Sequence, residues 1–175
     1  MIIDFHTHSF PDKSAEKTIK ILETKGGSKA FTNGTRLGLV SSMKDAGIDC
    51  SIILPVLTKP EQFKTINEFA VKLNEKYDGS NGVKLISFGG IHPDSSDYKY
   101  ELREIVNLGL KGIKLHPDYQ DTRILNNHGA SKVLYATDSP WGGQKESIEW
   151  FDTMKLSSET LEKILYKNAL ELLKI

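Results

Sequence analysis

Two histidines one residue apart, His6 and His8, follow the short apolar run Met1-Ile2-Ile3 in the stretch Asp4-Phe5-His6-Thr7-His8. On a β-strand successive side chains alternate between faces, so Asp4, His6 and His8 share one face, and Ile3 and Phe5 share the other. Neutral imidazole is a ligand for zinc and its divalent neighbours, and two imidazoles at a strand end can hold one such ion. The plainer alternative is a polar strand whose histidines simply face water. Three further residues bear on the choice: His92 and His116, each followed by proline, and Asp138, followed by Ser139-Pro140. Each alone has an ordinary explanation, since a histidine before proline can cap a turn and an aspartate can cap a helix. His128, in Asn126-Asn127-His128-Gly129, reads as a helix-terminus residue outside the group.

The elements that must position these residues alternate between strand and helix. Ser14 to Glu23 reads as a short helix, and Thr24 to Thr35, rich in Gly, Lys, Ser and Asn, as a loop. Leu37, Val40 and Met43 mark a helix closed by Gly47. The run from Cys50 to Val56 is the second strand, apolar in the manner of strands buried on both faces. Phe63, Ile66, Ala70, Leu73 and Tyr77 step by three or four residues, the clearest amphipathic helix in the chain. Lys84 to Ile91 forms a third strand ending at His92. A helix through Leu102 and Ile105 precedes a fourth strand, Gly112 to Leu115, ending at His116. Lys132 to Thr137 is the last strand, ending at Asp138. A helix over Glu146 to Phe151 and a final helix capped by Ser157 or Ser158 follow. Such alternation argues a parallel α/β sheet, in which catalytic loops gather at the C-terminal strand ends. His6, His8, His92, His116 and Asp138 all fall at that rim, whereas His128 falls at the opposite end.

Composition narrows the class of protein. At 175 residues the chain suits one domain with a real core. Basic and acidic residues balance at 23 each, so charge points to neither nucleic acid nor an anionic membrane as a partner. The one cysteine, Cys50, excludes an internal disulfide framework and fits a reducing compartment. No basic segment leads into an apolar signal core, and the longest apolar runs are too short to span a bilayer. The expectation is a soluble, cytoplasmic protein acting on a small-molecule substrate.

The blocks IDFHTH (3–8), LVSSMKDAGID (39–49), FGGIHPD (88–94), GLKGIKLHPDYQ (109–120) and HGASKVLYATDSPWGG (128–143), with the tail LEKILYKNALELL (161–173), resemble the amidohydrolase-related branch of the amidohydrolase superfamily. The relatives in view are like aminocarboxymuconate-semialdehyde decarboxylase, metal-dependent hydrolases and decarboxylases on a (β/α)8 TIM barrel. The resemblance implies His6, His8 and Asp138 as metal ligands, Asp138 also as the catalytic proton acceptor, and a divalent metal with zinc as first expectation; His92 and His116 match motif positions near the site, and His116 is a further catalytic candidate by residue type. Asp138 would take a proton from a metal-activated water and return it to the leaving group, while His116 or the metal polarises a carbonyl. Asp4 could orient an imidazole from behind, although a strand-end carboxylate bonded to backbone is the plainer account. Lys114 shares the face of His116. Some relatives carry a carboxylated lysine between two metals, but nothing in this sequence requires one.

The chain departs from that family in length. An eight-stranded barrel takes ~250 residues, so roughly three βα units of ~30 residues are missing. The shortfall falls between His116 and Asp138, which makes residues 1–175 a single, incomplete barrel-type domain with an apparent internal deletion near 117–130; a natural deletion, an omitted segment or a partner subunit that completes the sheet would each account for it. Ile113, Leu115, Val133 and Tyr135 would then line open edges, leaving a homo-oligomer as one way to cover them. Competing readings are a related decarboxylase, a metal-dependent phosphoesterase, and a non-catalytic metal-binding or interaction protein.

Overall fold

The computed structural model describes residues 1–80, 82–92, 94–114, 134–153 and 156–174. His116, His128 and the stretch 117–130 lie outside the described residues, as do Leu115 and Val133.

Strand β1 (Ile3–Thr7) pairs in parallel with β2 (Cys50–Ile53), which pairs in parallel with β3 (Lys84–Ser87). Beyond Phe88 the chain re-enters a ladder as β4 (Gly89–Gly90), parallel to β5 (Ile113–Lys114). On the other side of β1 runs the segment from 134 to 139. Phe5 N–H donates to the Tyr135 carbonyl at 2.8 Å, Asp138 N–H to the His6 carbonyl at 2.7 Å and His8 N–H to the Ser139 carbonyl at 2.6 Å. The last segment therefore lies beside the first strand, and Thr7 and Ser139 form a parallel bridge. It pairs without forming a regular strand over the described residues, where the sequence suggests one through Thr137.

The helices follow from local chemistry. Helix α1 (Asp12–Gly26) runs a turn further than the composition of 24–35 suggests, ending where Gly27 turns left-handed at φ 64° and donates to the Glu23 carbonyl. Helix α2 (Arg36–Ala46) starts with the Thr35 side chain accepting from Gly38 N–H and stops at Gly47, at φ 68°. Helix α3 (Phe63–Lys76) carries the predicted apolar stripe, with Ala70 and Leu73 buried. Asn67 and Asn74 tie α3 to the sheet: the Asn67 amide pairs with both backbone groups of Gly90, and the Asn74 amide with both of Ser87. Helices α4 (Tyr98–Asn107) and α5 (Gln144–Thr153) flank the described part of the C-terminal half. The C-terminal helix begins at α6 (Ser158–Glu162), where the Ser157 side chain accepts from Thr160 N–H, passes through a π-turn (Lys163–Lys167) and ends as α7 (Asn168–Leu173).

All four residues of β2 are buried, as its apolar sequence implies. Alternate side chains enter different clusters: Ile53 packs with Leu39, Met43, Leu73 and Leu85, and Ile52 with Ile3, Ile86, Ala169 and Leu173. Ile3 and Phe5 form the expected apolar layer, with the Phe5 ring edge-on to Phe88 at 5.8 Å. One expectation fails. Tyr135 does not lie on an open edge but is 1% exposed, with its N–H on the Ile164 carbonyl and its hydroxyl on the Gln144 carbonyl. Ile113, by contrast, is 36% exposed.

Candidate metal centre

Strand β1 delivers His6 near its end and His8 just past it, and the register against β2 slips between Asp4 and Thr7. Thr7, buried between the two histidines in sequence, anchors this end by donating its hydroxyl to the Ile52 carbonyl at 2.8 Å. The two rings meet edge to face, 5.0 Å between centroids, and their Nε2 atoms are 3.1 Å apart. Asp138 arrives from the segment beside β1, with Oδ1 3.2 Å from His6 Nε2 and 3.1 Å from His8 Nε2. Its φ of 59° is left-handed, a conformation uncommon outside glycine, though aspartate adopts it more readily than most residues. Lys114, from β5, brings Nζ to 3.3 Å from His6 Nε2.

One imidazole nitrogen offers either a single N–H or a single lone pair. His6 Nε2 nevertheless faces His8 Nε2, Asp138 Oδ1 and Lys114 Nζ within 3.3 Å. Hydrogen bonding cannot satisfy all of these contacts at once. Three donor atoms spaced 3.1–3.2 Å apart do suit a shared cation. An ion ~2.0–2.1 Å from each would see them roughly 100° apart, between octahedral and tetrahedral values, with its remaining positions open. Two imidazoles and a carboxylate are also a donor set that zinc and its neighbours accept. The residues therefore fit a divalent ion by chemistry and by spacing.

Electrostatics around Asp138 point the same way. Burial pushes its carboxyl up, but the hydrogen bond from His8 and the charges of His8, His6 and Lys114 outweigh that and hold it below the usual carboxylate range. Half of its side-chain surface is exposed, so water reaches it.

The other predicted residues fare differently. Asp4 makes no described contact with an imidazole ring. Its carboxylate is fully buried and accepts from Thr137 N–H at 3.0 Å, Gln144 Nε2 at 2.7 Å, His6 N–H at 3.3 Å and the Thr137 hydroxyl. Burial pushes its pKa up against the pull of those donors. Asp138 does not cap a helix, since α5 starts only at Gln144. His92 stays outside the triad, its Nδ1 accepting from Asp94 N–H at 3.1 Å. His116, expected beside Asp138, is outside the described residues. Gln144 and Thr137 carried no signal in the sequence, because nothing local marks a polar residue as the buried partner of one 133 or 140 positions away. A cavity of about 250 Å³ lined by Val40, Lys44, Lys76, Tyr77, Asp78, Gly79 and Val83 opens at the far ends of the strands and shares no residue with the triad.

No family model matches the sequence. Over 56 residues, 30% of this chain, it is 34% identical to the decarboxylase orsB of Emericella nidulans. That stretch spans 17% of the decarboxylase's own length. In three dimensions the chain is similar to an uncharacterized TIM-barrel protein from Bordetella bronchiseptica, with a TM-score of 0.69 over 99% of this chain and 98% of the other at 14% identity. The fold is thus of the TIM-barrel type, α/β with parallel strands, and the strands of the described residues do not close the barrel. Barrel enzymes carry their chemistry at the C-terminal strand ends, the rim that bears His6, His8 and Asp138. No helix among the described residues is long and apolar enough to cross a membrane.

Proposed function

We propose that this chain is a metal-dependent hydrolase of the amidohydrolase superfamily, acting on a small organic substrate. The observation that carries the reading is the convergence of His6, His8 and Asp138 on one point, with more polar atoms around His6 Nε2 than hydrogen bonds can satisfy. His6 and His8 would hold the ion through Nε2, and Asp138 through Oδ1. A bound zinc-like ion supplies Lewis acidity and lowers the pKa of water from 15.7 to about 7. Asp138, kept ionised by its neighbours and open to solvent, accepts the proton of the attacking water at Oδ2 and hands it to the leaving group. Lys114 sets a positive charge beside His6, where it favours an anionic group on the substrate. Polarisation of a carbonyl is assigned to His116 or to the ion.

Decarboxylation is the second reading, favoured by the 56-residue similarity to a decarboxylase. The two are separated by product: CO2 release from a carboxylic acid, or cleavage of an ester or amide. For the metal, purified protein is expected to take up about one divalent ion per chain. The double variant His6→Ala/His8→Ala should lose stoichiometric binding in elemental analysis. Unchanged metal content in that variant would sink the proposal.

A further inference from the structure

Asp138 sits in a backbone conformation that its own sequence does not enforce, so something else must hold it there. Its neighbours on both sides are fixed. Thr137 presents its N–H and its hydroxyl to the two oxygens of Asp4, and Ser139 N–H rests on Thr137 Oγ1 at 3.3 Å. From the other side Gln144, 1% exposed at the start of α5, donates Nε2 to Asp4 Oδ2 and lies 3.5 Å from Ser51 Oγ on β2. Asp4 therefore joins β1, α5 and the 134–139 segment through one carboxylate, and Gln144 extends the link to Ser51 on β2.

We propose that Asp4 is a positioning residue whose buried carboxylate sets the place of Asp138 against His6 and His8, without touching any of the three ligand atoms. The inference rests on the reading of the triad as a metal site. A buried carboxylate is a costly way to join two chain segments, and an apolar side chain would fill the space with less desolvation. What the carboxylate adds is direction: two oxygens orient the N–H and O–H of one residue together and so limit the rotation of the next. Groups behind the ligands commonly tune a metal site in this manner, and here the action runs through backbone instead of through an imidazole.

Asn in place of Asp4 can keep the geometry. Its oxygen accepts from Thr137 and His6 N–H, and its amide donates to a turned Thr137 hydroxyl and a flipped Gln144 amide. Leu keeps the volume and loses every bond. The test is cobalt affinity, with the visible spectrum of the bound ion, in wild type, Asp4→Asn, Asp4→Leu and the remote core variant Leu73→Ala. Asp4→Leu is expected to bind cobalt about 10- to 100-fold more weakly with an altered spectrum, while Asp4→Asn stays within a few-fold of wild type. Leu73→Ala, destabilised elsewhere, should keep the wild-type affinity and spectrum. If Asp4→Leu does not fold, Thr137→Val removes only the hydroxyl arm and should shift the spectrum and weaken binding several-fold. Wild-type affinity and spectrum in folded Asp4→Leu, or in Thr137→Val when that variant stands in, overturns the inference, as does an equal loss in Leu73→Ala. Failure of the wild type to bind cobalt instead overturns the metal reading beneath it.

Discussion

Substituting Gly142 by alanine should damage the proposed metal centre without touching a ligand. A Cβ built on Gly142 would lie 2.0 Å from the backbone oxygen of Thr137 and 3.1 Å from its carbonyl carbon. Carbon and carbonyl oxygen approach to about 3.3 Å at closest, so relief requires a backbone displacement of roughly 1.3 Å. Thr137 cannot move freely, because Asp4 holds both its N–H and its hydroxyl. The displacement then falls on the turn that contains Asp138, which Trp141 N–H closes by donating to the Asp138 carbonyl at 2.9 Å. Overpacking of this kind costs about 1–3 kcal/mol. For a chain of this size that lowers the unfolding midpoint by roughly 2–12 °C. A metal site tolerates ligand errors of only about 0.2 Å, so affinity should fall by at least about tenfold. Thermal unfolding in chelator measures the first effect and zinc or cobalt titration the second. Gly47→Ala is the control. It is strained at φ 68° but has nothing within 4 Å of its Cβ, and it lies at the opposite ends of the strands. That change should cost about 1 kcal/mol and leave metal binding intact. A Gly142→Ala protein with the wild-type midpoint and wild-type affinity would refute the reasoning.

Cys50 should be chemically silent in the native state: burial, opposed by the charge of Lys84, pushes its thiol up to about 11, and the residue is 5% exposed. At pH 8 only about one thiol in a thousand is ionised, so thiol reagents should label it slowly until urea unfolds the chain; rapid stoichiometric labelling in native buffer would contradict this. Ile113 of β5 and Tyr98, Tyr100 and Val106 of α4 expose large apolar side chains. Exposed apolar side chains of this kind favour self-association, so light scattering should give a mass above the 19.6 kDa of one chain, and a monodisperse monomer at micromolar concentration would argue against it.

What the sequence by itself determined is what depends on neighbours along the chain. The stripe of α3, the Gly47 and Ser157 caps and the apolar β2 were all legible, because helix period, capping and strand burial leave local patterns, whereas the Thr35 cap of α2 lay in a stretch read as loop. The pairing of His6 with His8 belongs to the same class, since two residues on one strand face stay close in any fold. Strand-end position put Asp138 on the same rim and family resemblance gave it a ligand's role, but it is strand order that carries it to the two histidines, by laying the segment 134–139 against β1. The role of Asp4 was decided entirely by tertiary structure. The sequence left open a partner ring two residues away, and folding supplied Thr137 and Gln144 from the other end of the chain. The π-turn at Lys163–Lys167 has the same origin. The C-terminal sequence reads as one uninterrupted helix, yet within that turn the Ile164 carbonyl accepts Tyr135 N–H from the segment beside β1. A local pattern cannot encode a hydrogen bond whose donor is chosen by the packing of a remote segment.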